Sequence, residues 1–513
     1  MTVAAEPASP RLGRQMVVAA FYAVLQRVIM RGLGLFSTLI LVRLLSPDDF
    51  GVVAVASAVY VILDMLTTTN FGMAIIRMAE PQRVHYDTVF TLSIGRAVVI
   101  VAALLGLAEL QAGLMDDPRV VGVTWVLASS VLIGAFESPR LIDFSRSLRF
   151  ERLMRYYVLG KILGILISLP LAFWLQNYWA LVLGGPISRL VTVPYSYRLA
   201  PHRPRLSVAA WREMFSFSKW LMLGNLCNLV DGQLMNFIIG RFQGVGAVGL
   251  YQVGYQIAVL PITEIAAPIR APLYAGFARI RHDVDELRRQ FLSGLEMQWL
   301  FLLPLTVGIG LTAREVTLLF LGERWAELIP LIPLIALFGL FDSFGVNTHN
   351  VFIVLDRQAR LVITYAAMLV LRLAVSLYGV LEYGIAGALW GLVATSVLNA
   401  ALWQAMTGPL LRLRPSDVPA TLWRAILAAL VMCGVVWLIP DDVGPRLGLA
   451  AWPLLAALSA KAAAGAATYA GTVLLLWLAA GRPARSAEAH LAQGLVAVLA
   501  RLAGLVLLRQ RSA

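Results

Sequence analysis

Charge is scarce in this sequence, and acid is scarcer than base. Of 513 residues only 14% are Asp, Glu, Lys or Arg, and 42 Lys and Arg outnumber 29 Asp and Glu. Soluble domains carry about 25% charged residues. With 59% hydrophobic residues and a mean hydropathy of +0.78, the composition excludes a soluble globular protein and implies a polytopic membrane protein. Cysteine is nearly absent. Cys227 and Cys433 both lie inside apolar segments, which excludes a disulfide framework and a paired-cysteine metal site. The five histidines form no cluster: His85, His202, His282 and His490 fall in or near short polar connections, and His349 lies near an apolar run. No connection exceeds about twenty residues, so no soluble catalytic domain fits between the apolar runs. There is also no phosphate-binding glycine loop and no acid dyad in a loop. These absences argue against an enzyme and call for no cofactor. The net charge of +13 would suit nucleic acid, but the basic residues are dispersed through short gaps, so no nucleic-acid partner is expected.

What the sequence has in abundance is long apolar runs. Segments of roughly 18–25 residues, each long enough to cross a hydrocarbon core, recur at 16–42, 50–76, 88–110, 120–138, 156–175, 179–199, 216–240, 247–271, 293–312, 328–351, 361–379, 385–408, 422–439 and 454–480. The fold class is therefore all-α, with about 14 transmembrane helices. The first fifteen residues are polar and the run after them has no small-residue cleavage signal, so it reads as a retained first span. With the N-terminus cytoplasmic, the cytoplasmic segments hold 28 of the 42 Lys and Arg, including the runs at 140–155, 198–212 and 270–289. The opposite side holds only Arg43, Arg119, Arg241, Arg314, Arg324 and Arg446. That asymmetry fits the positive-inside rule and places both termini in the cytoplasm. After residue 480, the stretch Leu491–Leu508 carries His490, Gln493, Arg501 and Gly504 on one side and reads as an interfacial amphipathic helix, with a fifteenth span as the alternative.

The chain also reads as two related halves. A shift of 198 residues lays Arg43 on Arg241, Gly51 on Gly249, Val55 on Val253 and Val61 on Val259. Repeats of this kind are typical of transporter folds that bind substrate between the halves. The expected organisation is a tail at 1–15, six-helix lobes at 16–205 and 206–412, two further helices at 413–480 and an amphipathic tail at 481–513. In the junction after the first span, Ser46 is placed to cap a helix. Pro47 suits its first position and Asp49 suits the acid of a capping box. Gln176–Trp179 reads as a tight turn with interfacial aromatics. Prolines inside spans, among them Pro170, Pro186, Pro194, Pro261, Pro268, Pro272 and Pro304, mark expected kinks.

Eight cations fall inside spans: Arg27, Arg31, Arg96, Lys161, Arg189, Lys219, Arg372 and Lys461. Each costs roughly 2.5–3.5 kcal/mol at a helix centre on insertion scales. The three lysines lie near span ends and are expected to snorkel. Arg27 and Arg31 are four apart and share a helix face. Intramembrane acids are fewer, notably Asp64, Asp231, Glu296 and Asp342, and Arg27 or Arg31 could pair with Asp64 or Asp231. The excess of base leaves an electropositive interior, which suits phosphate or diphosphate because the guanidinium fork matches those oxygens. Arg27, Arg31, Arg96, Arg189 and Arg372 are the substrate-binding candidates, and Asp64 and Asp231 are candidate counter-ions or coupling groups.

The run Arg43-Leu-Leu-Ser-Pro-Asp-Asp-Phe-Gly51 resembles the junction motif of the polysaccharide transporter family, bacterial flippases within the multidrug/oligosaccharidyl-lipid/polysaccharide exporter superfamily. Phe144-Ser-Arg-Ser-Leu-Arg-Phe150 is similar to that family's loop between helices 4 and 5. Asn228-Leu-Val-Asp231, Ile239-Gly-Arg-Phe242 and Gly249-Leu-Tyr251 resemble a further run, and Leu321-Gly-Glu-Arg-Trp325 resembles a loop motif. The resemblance covers roughly residues 16–412. The family's alanine before the junction arginine is Val42 here, and no binding residue carries over. The resemblance implies two six-helix lobes in a V around a central cavity. It also implies movement of an undecaprenyl-diphosphate-linked oligosaccharide across the bacterial inner membrane, from the cytoplasmic to the periplasmic leaflet. Lipid-linked oligosaccharide, membrane lipids and polysaccharide assembly proteins are the implied partners. A lipid II flippase, a cation-coupled multidrug exporter and, outside transport, a polysaccharide polymerase or ligase are the alternatives.

Overall fold

In hydrocarbon every backbone N–H and C=O must find a partner within its own segment, so apolar runs of this length fold as helices. A computed structural model describes residues 10–67, 75–76, 78, 80–214, 219–266, 273–274, 276–440, 453–481 and 487–489, and among these there is no strand. Asn70–Gly72 and the amphipathic stretch 491–508 lie outside the described residues. Nine helices among the described residues are long and apolar enough to cross a membrane, or ten if one bent pair is a single span. The chain divides into two compact units, Met1–Gln252 and Val253–Ala513.

The first unit begins with α1 (Pro10–Leu44), which starts inside the segment set apart as a polar tail. Two residues later α2 (Pro47–Leu66) opens with Ser46 as its N-cap and a full capping box. The Asp49 backbone N–H donates to Ser46 Oγ at 3.3 Å, and the Asp49 carboxylate accepts from the Ser46 backbone N–H at 2.9 Å. Its other oxygen accepts the Tyr178 backbone N–H at 2.8 Å, so the capping acid also fixes the start of a helix 129 residues away. Next come α3 (Arg83–Met115) and α4 (Arg119–Ala135). Arg119 grips Asp117 with three hydrogen bonds from its guanidinium in the turn between them. Burial alone would raise the Asp117 carboxyl, but the Arg119 hydrogen bonds and charge hold it below the ordinary range. After Ala135 the chain bends by 69° into Pro139–Arg146.

Helices α5 (Phe150–Leu175) and α6 (Trp179–Leu199) form a hairpin. Its turn is at Gln176, in the left-handed conformation at φ 48°, as the sequence indicated. Helix α5 runs on through Pro170 and α6 through Pro186 and Pro194, while Pro268 and Pro272 lie outside the described residues. The departures from helical geometry in the long helices fall at glycine. Helix α7 (Lys219–Ala258) breaks at Gly244, with φ 79° and ψ 172°, values that only a residue without Cβ adopts at low cost. Beyond that break, Gly249 meets Gly51 of α2. A Cβ on Gly51 would strike the Val245 carbonyl oxygen, and one on Gly249 would strike the Pro47 carbonyl oxygen. The contact is reciprocal: Gly249 follows Gly51, and Val245 follows Pro47, by the same 198 residues as the repeat.

The second unit holds α8 (Val284–Leu311), α9 (Leu331–Asp342), α10 (Gly345–Val354), α11 (Gln358–Leu411), α12 (Asp417–Trp437) and α13 (Pro453–Ala479). At 1.5 Å per residue α11 would run about 80 Å if straight, far more than a hydrocarbon core of about 30 Å. It breaks at Gly384, with φ 63° and ψ −151°, which matches the two runs read at 361–379 and 385–408. The larger core cluster of the second unit joins α8 to α9, α10, α11, α12 and α13, with Trp299, Trp403 and Phe352 buried in it. Polar side chains inside are tied to one another. Asn347 Nδ2 donates to Gln298 Oε1 at 3.0 Å, and Gln298 Nε2 donates to the Ser343 carbonyl at 3.0 Å.

Candidate functional site

Helix periodicity places Tyr60 and Asp64 on one face of α2, and Ser93, Arg96 and Ile100 on one face of α3. Those faces meet across a cavity of about 370 Å³ inside the first unit, closed on its other sides by the end of α4, by Tyr157 of α5 and by Arg189 of α6. Beneath it, Ile100 and Leu104 of α3 pack against Ala128 of α4, with Val59 and Leu63 of α2 against them. That apolar floor fixes the helix faces that carry the polar groups.

Arg96 is anchored at three points. Nε donates to Thr67 Oγ1 at 3.1 Å, and Nη2 donates to the Asp64 carbonyl at 2.8 Å and to its carboxylate at 2.5 Å. The pair keeps contact with the cavity, since the Asp64 side chain is 41% exposed and that of Arg96 is 30% exposed. Arg189 Nη1 donates to the Ser130 carbonyl at 2.7 Å. Its guanidinium occupies the space beside Gly134 where any side chain would collide with it. Glu137 stands at the bend after α4, beside the Tyr156 hydroxyl and within the field of Arg189. Among the described residues, the charged groups on the cavity wall are thus two carboxylates and two guanidiniums.

The structure brings three of the sequence candidates, Asp64, Arg96 and Arg189, to this one wall. Arg27 is exposed on α1 and joined to no carboxylate among the described residues, so it does not form the pair with Asp64 that the sequence suggested. Arg31, one turn further along α1, and Asp231 of α7 are half-buried and do not line the cavity. Arg372 belongs to the second unit. It is 4% exposed, its Nη2 donates to Asp342 at 3.3 Å, and its guanidinium sits 5.2 Å over the Phe338 ring. Lys461 does not snorkel: it is 8% exposed and binds the buried Glu315 at 2.5 Å. Arg424, which the sequence reading did not single out, is buried. It binds Glu296 at 2.6 Å and Glu488 at 3.3 Å. The sequence reading missed Tyr60, Ser93 and Tyr157. For the first two the signal was present, as Tyr60 precedes Asp64 by four residues and Ser93 precedes Arg96 by three.

Helices in this number, with an interior cavity lined by charge, define a multi-pass membrane protein. Its fold is similar to that of solved transporters. The chain resembles a lipid II flippase MurJ in an inward closed conformation with a TM-score of 0.70 and 11% identity, over 91% of this chain and 100% of that one. It resembles an inward-facing multidrug resistance transporter of the MATE family, of the MOP superfamily, with a TM-score of 0.61 and 18% identity, over 76% of this chain and 99% of that one. At these identities the likeness is one of fold alone. The family model described as "Polysaccharide biosynthesis protein" matches residues 40–330, more than half of the chain, and the protein belongs to that family. Curated relatives include the lipopolysaccharide biosynthesis protein WzxC of Escherichia coli, 23% identical over 62% of this chain and 66% of its own length. Others are the succinoglycan biosynthesis transport protein ExoT of Rhizobium meliloti, 24% identical over 60% and 63%, and the teichuronic acid biosynthesis protein TuaB of Bacillus subtilis, 23% identical over 53% and 56%. The chain spans between about half and just under two thirds of the length of these relatives. The resemblance carried by the Arg43–Gly51 junction is thereby upheld.

Proposed function

We propose that this protein is a flippase. It moves an undecaprenyl-diphosphate-linked oligosaccharide or polysaccharide repeat unit from the cytoplasmic to the periplasmic leaflet of a bacterial inner membrane, by alternating access. Family membership carries this reading, together with relatives named for lipopolysaccharide, succinoglycan and teichuronic acid biosynthesis. The full reading has fourteen spans in two six-helix lobes plus two C-terminal helices, cytoplasmic termini, and no enzymatic step. Polysaccharide assembly proteins and membrane lipids are its partners.

In this reading Arg27 and Arg31 hold the diphosphate, since Arg27 is exposed and free of any carboxylate among the described residues. Arg96, Arg189 and Arg372 shape the field along the path, and Asp64 and Asp231 serve as counter-ions or coupling groups. Alternating access follows if cargo binds two packings of the helices with different affinity. The test is reconstitution into vesicles with a fluorescent undecaprenyl-diphosphate-linked oligosaccharide. Transfer is read as loss of protection from a membrane-impermeant quencher. Protein-dependent transfer that falls at least tenfold in the Arg27→Ala, Arg31→Ala double variant is expected. Wild-type protein that moves no lipid-linked saccharide but exports cationic dyes would replace this reading with drug export.

A further inference from the structure

We infer that the cavity between α2, α3 and the end of α4 is a subsite for the uncharged sugar rings of the cargo and takes no part in holding its diphosphate. The inference rests on the flippase reading for the identity of the cargo, but the subsite is argued from the cavity wall itself. Among the described residues its four charged side chains, Asp64, Glu137, Arg96 and Arg189, balance two against two. A carboxylate only accepts hydrogen bonds, and so does a diphosphate oxygen. A diphosphate in this space would therefore face two groups that repel it and offer it no proton. Nε and Nη2 of Arg96 are already engaged by Thr67 and Asp64, and Nη1 of Arg189 by the Ser130 carbonyl, so both guanidiniums are partly committed within the wall.

A sugar hydroxyl both donates and accepts, so one ring can give hydrogen bonds to Asp64 or Glu137 and receive them from Arg189. The hydroxyls of Tyr60 and Ser93, on the same wall, serve either way. The rings of Phe90 and Tyr157 supply flat apolar surface for the C–H faces of a pyranose. The volume of about 370 Å³ falls within the range of about 300–1,000 Å³ of small-molecule sites. Charged headgroup and neutral glycan are thereby read by different parts of the protein: the diphosphate by Arg27 and Arg31 of α1, the sugars by this balanced cavity.

The experiment uses full-length protein in lipid nanodiscs and ligand-observed NMR, with cellobiose as the neutral probe and inorganic pyrophosphate as the competitor. Wild-type protein should bind cellobiose saturably, and pyrophosphate should not displace it. Ser93→Phe, which fills the cavity, should abolish the signal, and Ser93→Ala should weaken binding about threefold to tenfold with an unchanged melting temperature. The milder variant keeps the test decisive if Ser93→Phe fails to fold. No saturable cellobiose signal from wild type, equal binding by Ser93→Ala and wild type, or displacement by pyrophosphate would each overturn the subsite. Vesicle transfer separates this outcome from the flippase reading. Cellobiose binding that responds to Ser93 without any lipid-linked transfer leaves the subsite standing and removes the flippase. Transfer without cavity binding does the reverse.

Discussion

Arg96 and Lys461 are both cations within long apolar helices, and each holds a carboxylate at 2.5 Å. Their surroundings differ. The Arg96 and Asp64 side chains keep 30% and 41% of their surface, whereas Lys461 and Glu315 keep 8% and 1%. Around the first pair lie a cavity and hydroxyls, and around the second a packed core. The Arg96–Asp64 pair stands at the edge of a space that a ligand can enter. The Lys461–Glu315 pair is sealed between packed helices. Lys461 of α13 and Arg424 of α12 each reach a carboxylate on the segment 284–316, within the family-matched region, so two buried ion pairs attach the helices beyond residue 330 to it. Intramembrane charge is often taken as a mark of function, and this molecule shows that exposure must be asked for as well.

The comparison breaks most sharply at Lys461. Removing one partner of a buried pair strands the other charge and costs about 3–5 kcal/mol, so Lys461→Met should lower unfolding stability in detergent by that amount. The double variant with Glu315→Leu should recover most of it. A single-variant loss below about 1 kcal/mol would show that the pair is solvated. Arg424→Leu should follow at about 3 kcal/mol, because it leaves Glu296 and Glu488 facing each other, although the Ala487 backbone N–H still donates to Glu296 at 3.0 Å. Gly51→Ala and Gly249→Ala force backbone apart and should cost about 1–3 kcal/mol each, read as lowered melting temperature. Asp64→Asn should be the mildest for stability, within about 1 kcal/mol because the pair is partly exposed, yet it should reduce vesicle transfer at least tenfold. If Asp64→Asn destabilises the protein as much as Lys461→Met, the two pairs do the same job and the contrast fails.

Much of the fold was legible in local chemistry. The capping box at Ser46 and Asp49, the turn at Gln176 and the separate runs on either side of Gly384 each depend on residues a few positions apart, and each was read from them. Charge partners were not legible, because Arg96 meets Asp64 across 32 positions and Lys461 meets Glu315 across 146. No spacing rule connects residues so far apart. Snorkelling was assigned to Lys461 from its distance to a span end, and the acid that holds it inside was invisible. The breaks within the long helices α7 and α11 fell at Gly244 and Gly384, where glycine permits positive φ.

The reciprocal contact of Gly51 with Gly249 has a consequence for how the chain is made. Helix α2 leaves the ribosome about 198 residues before the backbone it must touch. At roughly 5–20 residues per second that is a delay of about 10–40 seconds. Throughout that time a helix surface shaped to admit bare backbone faces lipid or a passing neighbour. Any other helix with small residues can occupy it first, so the order and speed of synthesis bear on whether the correct partner arrives to an empty seat. Slowing translation between α2 and α7 should therefore raise the misfolded fraction more than an equal delay placed after residue 258.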